Sequence, residues 1–190
     1  MDCKDRDLHG GAAGPPDPAT ESERAARRRR EERERAAEVL DLQEGRGAVE
    51  LATVAEARAI LGRARRIAIV GASADADRPS HGVMAYLVDV GYECVPINPS
   101  VPEVLGRPTF PDVVAATRAT GRFDIVDVFR RPDAAPEVAR QAVEAGAGAL
   151  WLQLGVVSWE AARIAAEAGL PIVMDRCAKI EHDAMRMRGG

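Results

Sequence analysis

No apolar run in the 190-residue chain approaches the roughly 18 to 20 residues that cross a bilayer, which excludes a membrane-spanning helix. The first residues, MDCKDRDLHGG, lack the apolar segment of a secretory signal, so the cytoplasm is the expected compartment. Cysteine is scarce. Cys3, Cys94 and Cys177 lie far apart with no C-x-x-C pair, which indicates neither a disulfide framework nor a zinc knuckle, and reduced thiols are expected. A large charge of one sign is also lacking. The net charge of -4 gives no general reason to hold nucleic acid or an anionic membrane, so any anion site must be local. Two phosphate-binding signatures are missing as well: neither G-x-G-x-x-G nor G-x-x-x-x-G-K-[ST] fits the loop where Gly71 leads into Ala72, Ser73, Ala74 and Asp75.

What is present is one domain's worth of chain with an extension before it. Residues 1–20 are rich in Gly, Pro, Ala and Asp without apolar periodicity, and disorder is expected there. Residues 21–38 hold seven Arg and six Glu, with opposite charges four apart at Glu23/Arg27, Arg30/Glu34 and Glu31/Arg35. Interleaved glutamates nearly cancel the RRRR run. A solvated helix, or one that meets a second copy or a partner protein, is therefore expected rather than a nucleic-acid patch. EGRG at 44–47 reads as a hinge, which sets the extension at 1–46 and the compact domain at 47–190.

Helical and strand patterns then alternate. Helices are expected over 54–63 with Thr53 as N-cap, over 82–90 with Ser80 as N-cap, and over 134–145 and 159–168. Strands are expected over 67–70, 94–97, 125–129, 149–154 and 172–174, and Gly91, Gly146 and Gly169 fall where helices should end. Such alternation implies an α/β fold, a parallel doubly wound sheet with helices on both faces. Its ligands bind at the carboxyl ends of the strands, beside the point where strand order reverses.

The residues just past each strand therefore gather on one rim: Gly71-Ala72-Ser73, Asn98-Pro99, Phe129-Arg130-Arg131, Gln153-Leu154-Gly155 and Asp175-Arg176-Cys177. A nicotinamide site would need an acidic residue after the second strand, where this chain has Ile97, Asn98 and Pro99. Ser73, Arg78, Ser80 and Arg130 can bind phosphate, and Phe129 can pack on an adenine or an apolar arm. An adenine nucleotide carrying several phosphates fits this set.

IAIVGAS, RPSHGV, VPINP, EVLGRPTFPDV, FDIVDVFRRP, LWLQLGVV and VMDRCAKIEH, in that order, resemble the small stand-alone bacterial CoA-binding proteins. These are similar to the CoA-binding domain of the succinyl-CoA synthetase alpha subunit. The resemblance runs from about residue 51 to about residue 182 and leaves the Arg/Glu-rich segment uncovered. It implies a Rossmann-like three-layer sandwich, with a short edge strand near GRPTF and the strand at 125–129 beside the first. It also implies coenzyme A or acyl-CoA as ligand, with the adenosine diphosphate over Gly71, Ala72 and Ser73, Asn98 and Pro99 beside the adenosine, and Phe129 and Arg130 opposite. The rim reading adds Arg78, Ser80, Ile97, Gln153 and Gly155 as ligand contacts, although Gly155 can instead serve the turn and Gln153 the backbone.

No catalytic set and no metal site is expected, because His182, Glu181 and Lys179 come with no nucleophile. The synthetase's phosphorylated histidine belongs to a second domain for which this chain is too short. A binding module without turnover is thus expected, with an NAD(P)-linked oxidoreductase or a CoA transferase or ligase as the alternative. Cys177, between Arg176 and Lys179, is a thiol near the ligand edge, although a free cysteine is ordinarily a small buried apolar residue. Asp127, in an apolar strand, must be paired, and a structural hydrogen bond is the ordinary way. Trp151 and Trp159 are expected in the core.

Overall fold

A computed structural model describes residues 18–47 and 49–187. The chain divides into two compact units, Met1–Ala37 and Glu38–Gly190. Disorder was expected over residues 1–20, of which 1–17 lie outside the described residues, as does Cys3; helix α1 (Pro18–Gln43) begins at Pro18. Along its exposed surface Arg27 pairs with Glu31 and Arg30 with Glu34, both four residues apart. Exposed pairs of this kind contribute only a few tenths of a kcal/mol each.

The second unit is built on strands β1 (Arg66–Val70), β2 (Glu93–Ile97), β5 (Ile125–Val128), β6 (Leu150–Leu152) and β7 (Ile172–Val173). They form one parallel sheet in the order β2-β1-β5-β6-β7. The two-residue strands β3 (Glu103–Val104) and β4 (Arg107–Pro108) make a separate antiparallel hairpin. The edge strand expected near GRPTF is thus corrected: only Phe110 reaches the sheet, bridging in parallel to Ile97. Pro96 lies in β2, and Phe110 N–H donates to its carbonyl. A proline lacks the donor an interior strand needs, so β2 stays at the edge.

Strand pleating sorts the core into two layers. In β1, Ala68 and Val70 face one layer with Val126, Val128, Leu150 and Leu152. Helices α4 (Val113–Thr120), α5 (Ala135–Glu144) and α6 (Trp159–Glu167) cover that face. Ile67 and Ile69 face the other layer with Cys94, Ile125 and Trp151, under α2 (Val54–Arg63), α3 (Pro79–Asp89) and α7 (Ala178–Arg186). Helices on both faces make the doubly wound, Rossmann-like sandwich expected. Thr53 caps α2 in a full capping box with Glu56.

Trp151 is fully buried, whereas Trp159 is half-buried and donates its indole N–H to the Glu38 carbonyl at 3.1 Å. Leu42 packs against the same layer, and a methyl on Gly47 would overlap the Trp159 ring. Residues 38–45 are therefore expected to stabilise the second unit, which a truncation at residue 37 keeps. Removing 1–45 takes away roughly 2 kcal/mol of leucine packing and indole bonding and should lower it by about 4 to 8 °C. Thermal melts of the two truncations against the full chain measure the difference; equal melts would rule out a stabilising role for 38–45.

Candidate functional site

The chain leaves β1 towards β2 on one side and later enters β5 on the other, so the order reverses between β1 and β5. Gly71 sits at that reversal. Its N–H donates to the Ile97 carbonyl at 2.9 Å, and Phe129 N–H donates to the Val70 carbonyl at 2.8 Å. With φ of 85° and the place of a Cβ only 3.1 Å from the Phe129 carbonyl oxygen, the position requires glycine. Above it opens a cleft of about 440 Å³ lined by Gly71, Ser73, Arg78, Pro79, Ser80, Asn98, Phe129, Arg130, Gln153, Leu154 and Val156.

The amino end of α3 forms one wall. The sequence suggested Ser80 as the N-cap; instead Pro79 starts the helix and Arg78 is the cap residue, its carbonyl accepting His81 N–H at 3.0 Å and Gly82 N–H at 3.4 Å, with no side-chain cap. Proline suits the first helical position because it lacks an N–H that would have no partner within the helix, and its φ is already helical. Ser80 is buried behind it. His81 turns inward and donates from Nδ1 to the Ser73 carbonyl at 2.9 Å, while the Ser73 hydroxyl accepts Asp75 N–H at 3.1 Å. These bonds fold the loop over the helix end. Arg78 extends into solvent with its side chain 71% exposed, and its ion-pair partner Asp75 stands at 3.8 Å.

Asn98 has a further part to play. Its amide donates to the Ala72 carbonyl at 2.8 Å and its oxygen accepts Ser100 N–H at 2.9 Å, tying the end of β2 to the glycine loop. Ala72 and Ile97 are buried beneath the cleft, and Pro99 and Gly155 are exposed beside it, outside the lining. The lining adds Pro79, Leu154 and Val156 to the residues chosen from sequence. Pro79 carried a readable signal, a proline where a helix should begin, and Leu154, 64% exposed, stood in the rim set past its strand without being chosen as a ligand contact. Asp175, with φ of 56°, accepts Gly155 N–H at 2.7 Å and so holds the Gln153–Val156 turn from below.

Cys177 stands at the N-cap of α7, half-buried against the second core layer and outside the cleft lining. Burial, then the nearby Asp127 charge, pushes the other described thiol, Cys94, up to about 12. Arg176 and Arg58 both bond the buried Glu181, at 3.2 and 2.8 Å. His182, on α7, meets α3, where its Nδ1 donates to the Tyr86 hydroxyl at 2.7 Å and that hydroxyl donates to Asp183. A second cleft of similar volume lies at the amino end of β7, with Glu50, Glu56 and Arg63 on its walls, away from the carboxyl ends of the strands.

The cleft we describe thus presents two guanidinium groups, a helix start without a side-chain cap and no carboxylate in its lining. That arrangement suits a polyphosphate. The protein is 41% identical over 128 residues to Uncharacterized protein YneT of Bacillus subtilis (strain 168), an alignment spanning 67% of this chain and 93% of the relative. A solved hypothetical protein from Pyrococcus horikoshii OT3 is 39% identical with a TM-score of 0.66, covering 70% of this chain and 92% of its own. The structure of cell-free ID.343 from Thermus thermophilus is 34% identical with a TM-score of 0.63, covering 70% and 98%. The family model described as CoA binding domain matches residues 65–183, which include every residue of the cleft, and the chain belongs to that family.

Proposed function

We propose that this protein binds coenzyme A, free or acylated, in the carboxyl-edge cleft and performs no turnover of its own, serving as a cytoplasmic CoA sensor, carrier or partner. The observation that carries this is the pairing of a proline-started helix that has no side-chain cap with Arg78 and Arg130 around the tight Gly71 turn in one cleft. Backbone N–H groups at the start of α3 and the Ser73 region would meet the diphosphate. Arg78 and Arg130 would neutralise it together with the ribose phosphate, and Phe129 and Leu154 offer apolar surface to the adenine or the arm. Bound CoA would supply a thiol able to carry an acyl group as a thioester. Support for a role without turnover is that His182 of α7 is bonded to Tyr86 of α3, while the cleft side chains are hydroxyls, amides, guanidiniums and apolar groups.

Mass spectrometry of ligands released from the purified protein, followed by calorimetric titration, tests this. CoA or acyl-CoA should be recovered, and CoA should bind more tightly than its 3′-dephospho form and than NAD. NAD bound as tightly as CoA would overturn the proposal.

A further inference from the structure

Beneath the cleft lies a carboxyl group that the binding of a nucleotide does not by itself explain. Asp127 is fully buried in β5, beside Ile69 of β1 and Trp151 of β6. Its Oδ2 accepts from Gln153 Nε2 at 2.9 Å, and its Oδ1 has no hydrogen-bond partner among the described residues. Gln153 is itself only 3% exposed, yet it lines the cleft. One side chain therefore connects a buried acid to the ligand space. Asp127 engages one end of the carboxamide, and the other end is left for whatever occupies the cleft.

A carboxyl and a carboxamide can pair in two ways. An ionised Asp127 only accepts, so it takes the Gln153 amide N–H and leaves Oε1, an acceptor, for the ligand. A protonated Asp127 has an O–H to place, and the acceptor within reach is Gln153 Oε1 after a half-turn of the carboxamide. The NH2 group, a donor, then serves the ligand. We infer that Asp127 is a positioning residue that sets, through its proton, whether Gln153 offers the cleft a donor or an acceptor. The inference rests on CoA being the ligand, since phosphate and pantetheine carbonyl oxygens accept hydrogen bonds and prefer the donor.

Burial pushes Asp127 up to about 8, against the lesser opposing effects of the Gln153 bond and the Val128 N–H, so the choice falls near physiological pH. The ionisable groups on the surrounding elements are few and mostly engaged. Cys94 of β2 stays a neutral thiol at these pH values. Arg58 of α2 and Arg176 before α7 are paired with Glu181, Glu56 closes the α2 cap, His81 of α3 bonds Ser73, and His182 bonds Tyr86. Arg78 and Arg130 stand in the cleft itself.

The experiment uses the full chain with Asp127→Asn, a neutral isostere that can still pair with Gln153. The side-chain amide resonances of Gln153 are followed by NMR without ligand from about pH 6 to about pH 9.5, and acetyl-CoA, which has no thiol to titrate, is bound calorimetrically across the same range. The Gln153 resonances should move with a midpoint near 8, and affinity should fall on the order of tenfold as Asp127 ionises. Both changes should vanish in Asp127→Asn. Thermal stability supplies a further reading. The folded state holds its proton where the unfolded carboxyl has lost it, so wild-type stability should decline as pH rises from about 4 to about 8, and the Asn variant should lack that decline.

PH-independent Gln153 resonances in the wild type would overturn the inference. So would an acetyl-CoA affinity slope that survives in the Asn variant. If the resonances titrate but acetyl-CoA and CoA bind at no pH, CoA as ligand is overturned while the assignment of Asp127 to Gln153 stands.

Discussion

Arg78→Gln combined with Arg130→Gln is expected to weaken CoA binding on the order of a thousandfold while moving the melting temperature very little. A hydrogen bond to a charged group contributes about 1.5 to 3 kcal/mol when solvent is excluded, and less where water screens it. Arg78 is largely exposed, so its loss should cost about tenfold. Arg130 is half-buried beside the glycine loop, where its Cδ lies 3.3 Å from the place of a Gly71 Cβ, and its loss should cost about a hundredfold. Stability should hold because the ion pair that Arg78 makes with Asp75 is long and exposed on both sides. Lysine at either position keeps the charge but not the planar fork, and should recover part of the loss. Calorimetric titration at two salt concentrations measures all of this, with the wild type the more salt-sensitive. A double variant that lost less than tenfold would move the phosphate site elsewhere on the molecule.

The layering of the fold was legible because it rests on local signals. The apolar runs of β1, β5 and β6, the Thr53 cap and the glycines after α3, α5 and α6 each speak within a few residues, and the structure bears them out. The rim was legible for a related reason: in a parallel sheet every strand delivers its next residues to the same edge. Pairings across the chain were not legible. Asn98 finds Ala72, Gln153 finds Asp127, and Trp159 finds Glu38, at separations of 26, 26 and 121 residues. Each side chain could have bonded several groups, and only the packed fold selects one. Ser80 failed as a cap for a different reason, a conflict between two local signals. A serine before an apolar turn is a good N-cap, but Pro79 beside it is a better first helical residue, and the helix starts there. Asp127 was readable as a buried acid in need of a partner. That the partner would be the carboxamide facing the cleft was a fact of register, with Asp127 opposite Trp151 two residues short of Gln153.

Gly71→Val is expected to fail twice, in folding and in binding. At φ of 85° a side chain with a Cβ is strained by about 1 to 2 kcal/mol, and a β-branched one by more. The added carbon would also stand 3.1 Å from the Phe129 carbonyl oxygen and 3.2 Å from its carbon, backbone atoms fixed by the bond from Phe129 N–H to Val70. Overpacking against a wall that cannot turn away costs about 1 to 3 kcal/mol more. The sum, about 3 kcal/mol, should lower the melting temperature by about 6 to 12 °C. Because the variant is strained, lost CoA binding alone would not locate the phosphates. Ser73→Tyr separates the two effects: Ser73 lies on the cleft wall with negative φ, so a ring there fills the ligand space without backbone strain. It should abolish CoA binding at a nearly unchanged melting temperature. Were Ser73→Tyr to bind CoA as the wild type does, the cleft above the glycine loop would not be where the diphosphate lies, whatever Gly71→Val did to the fold.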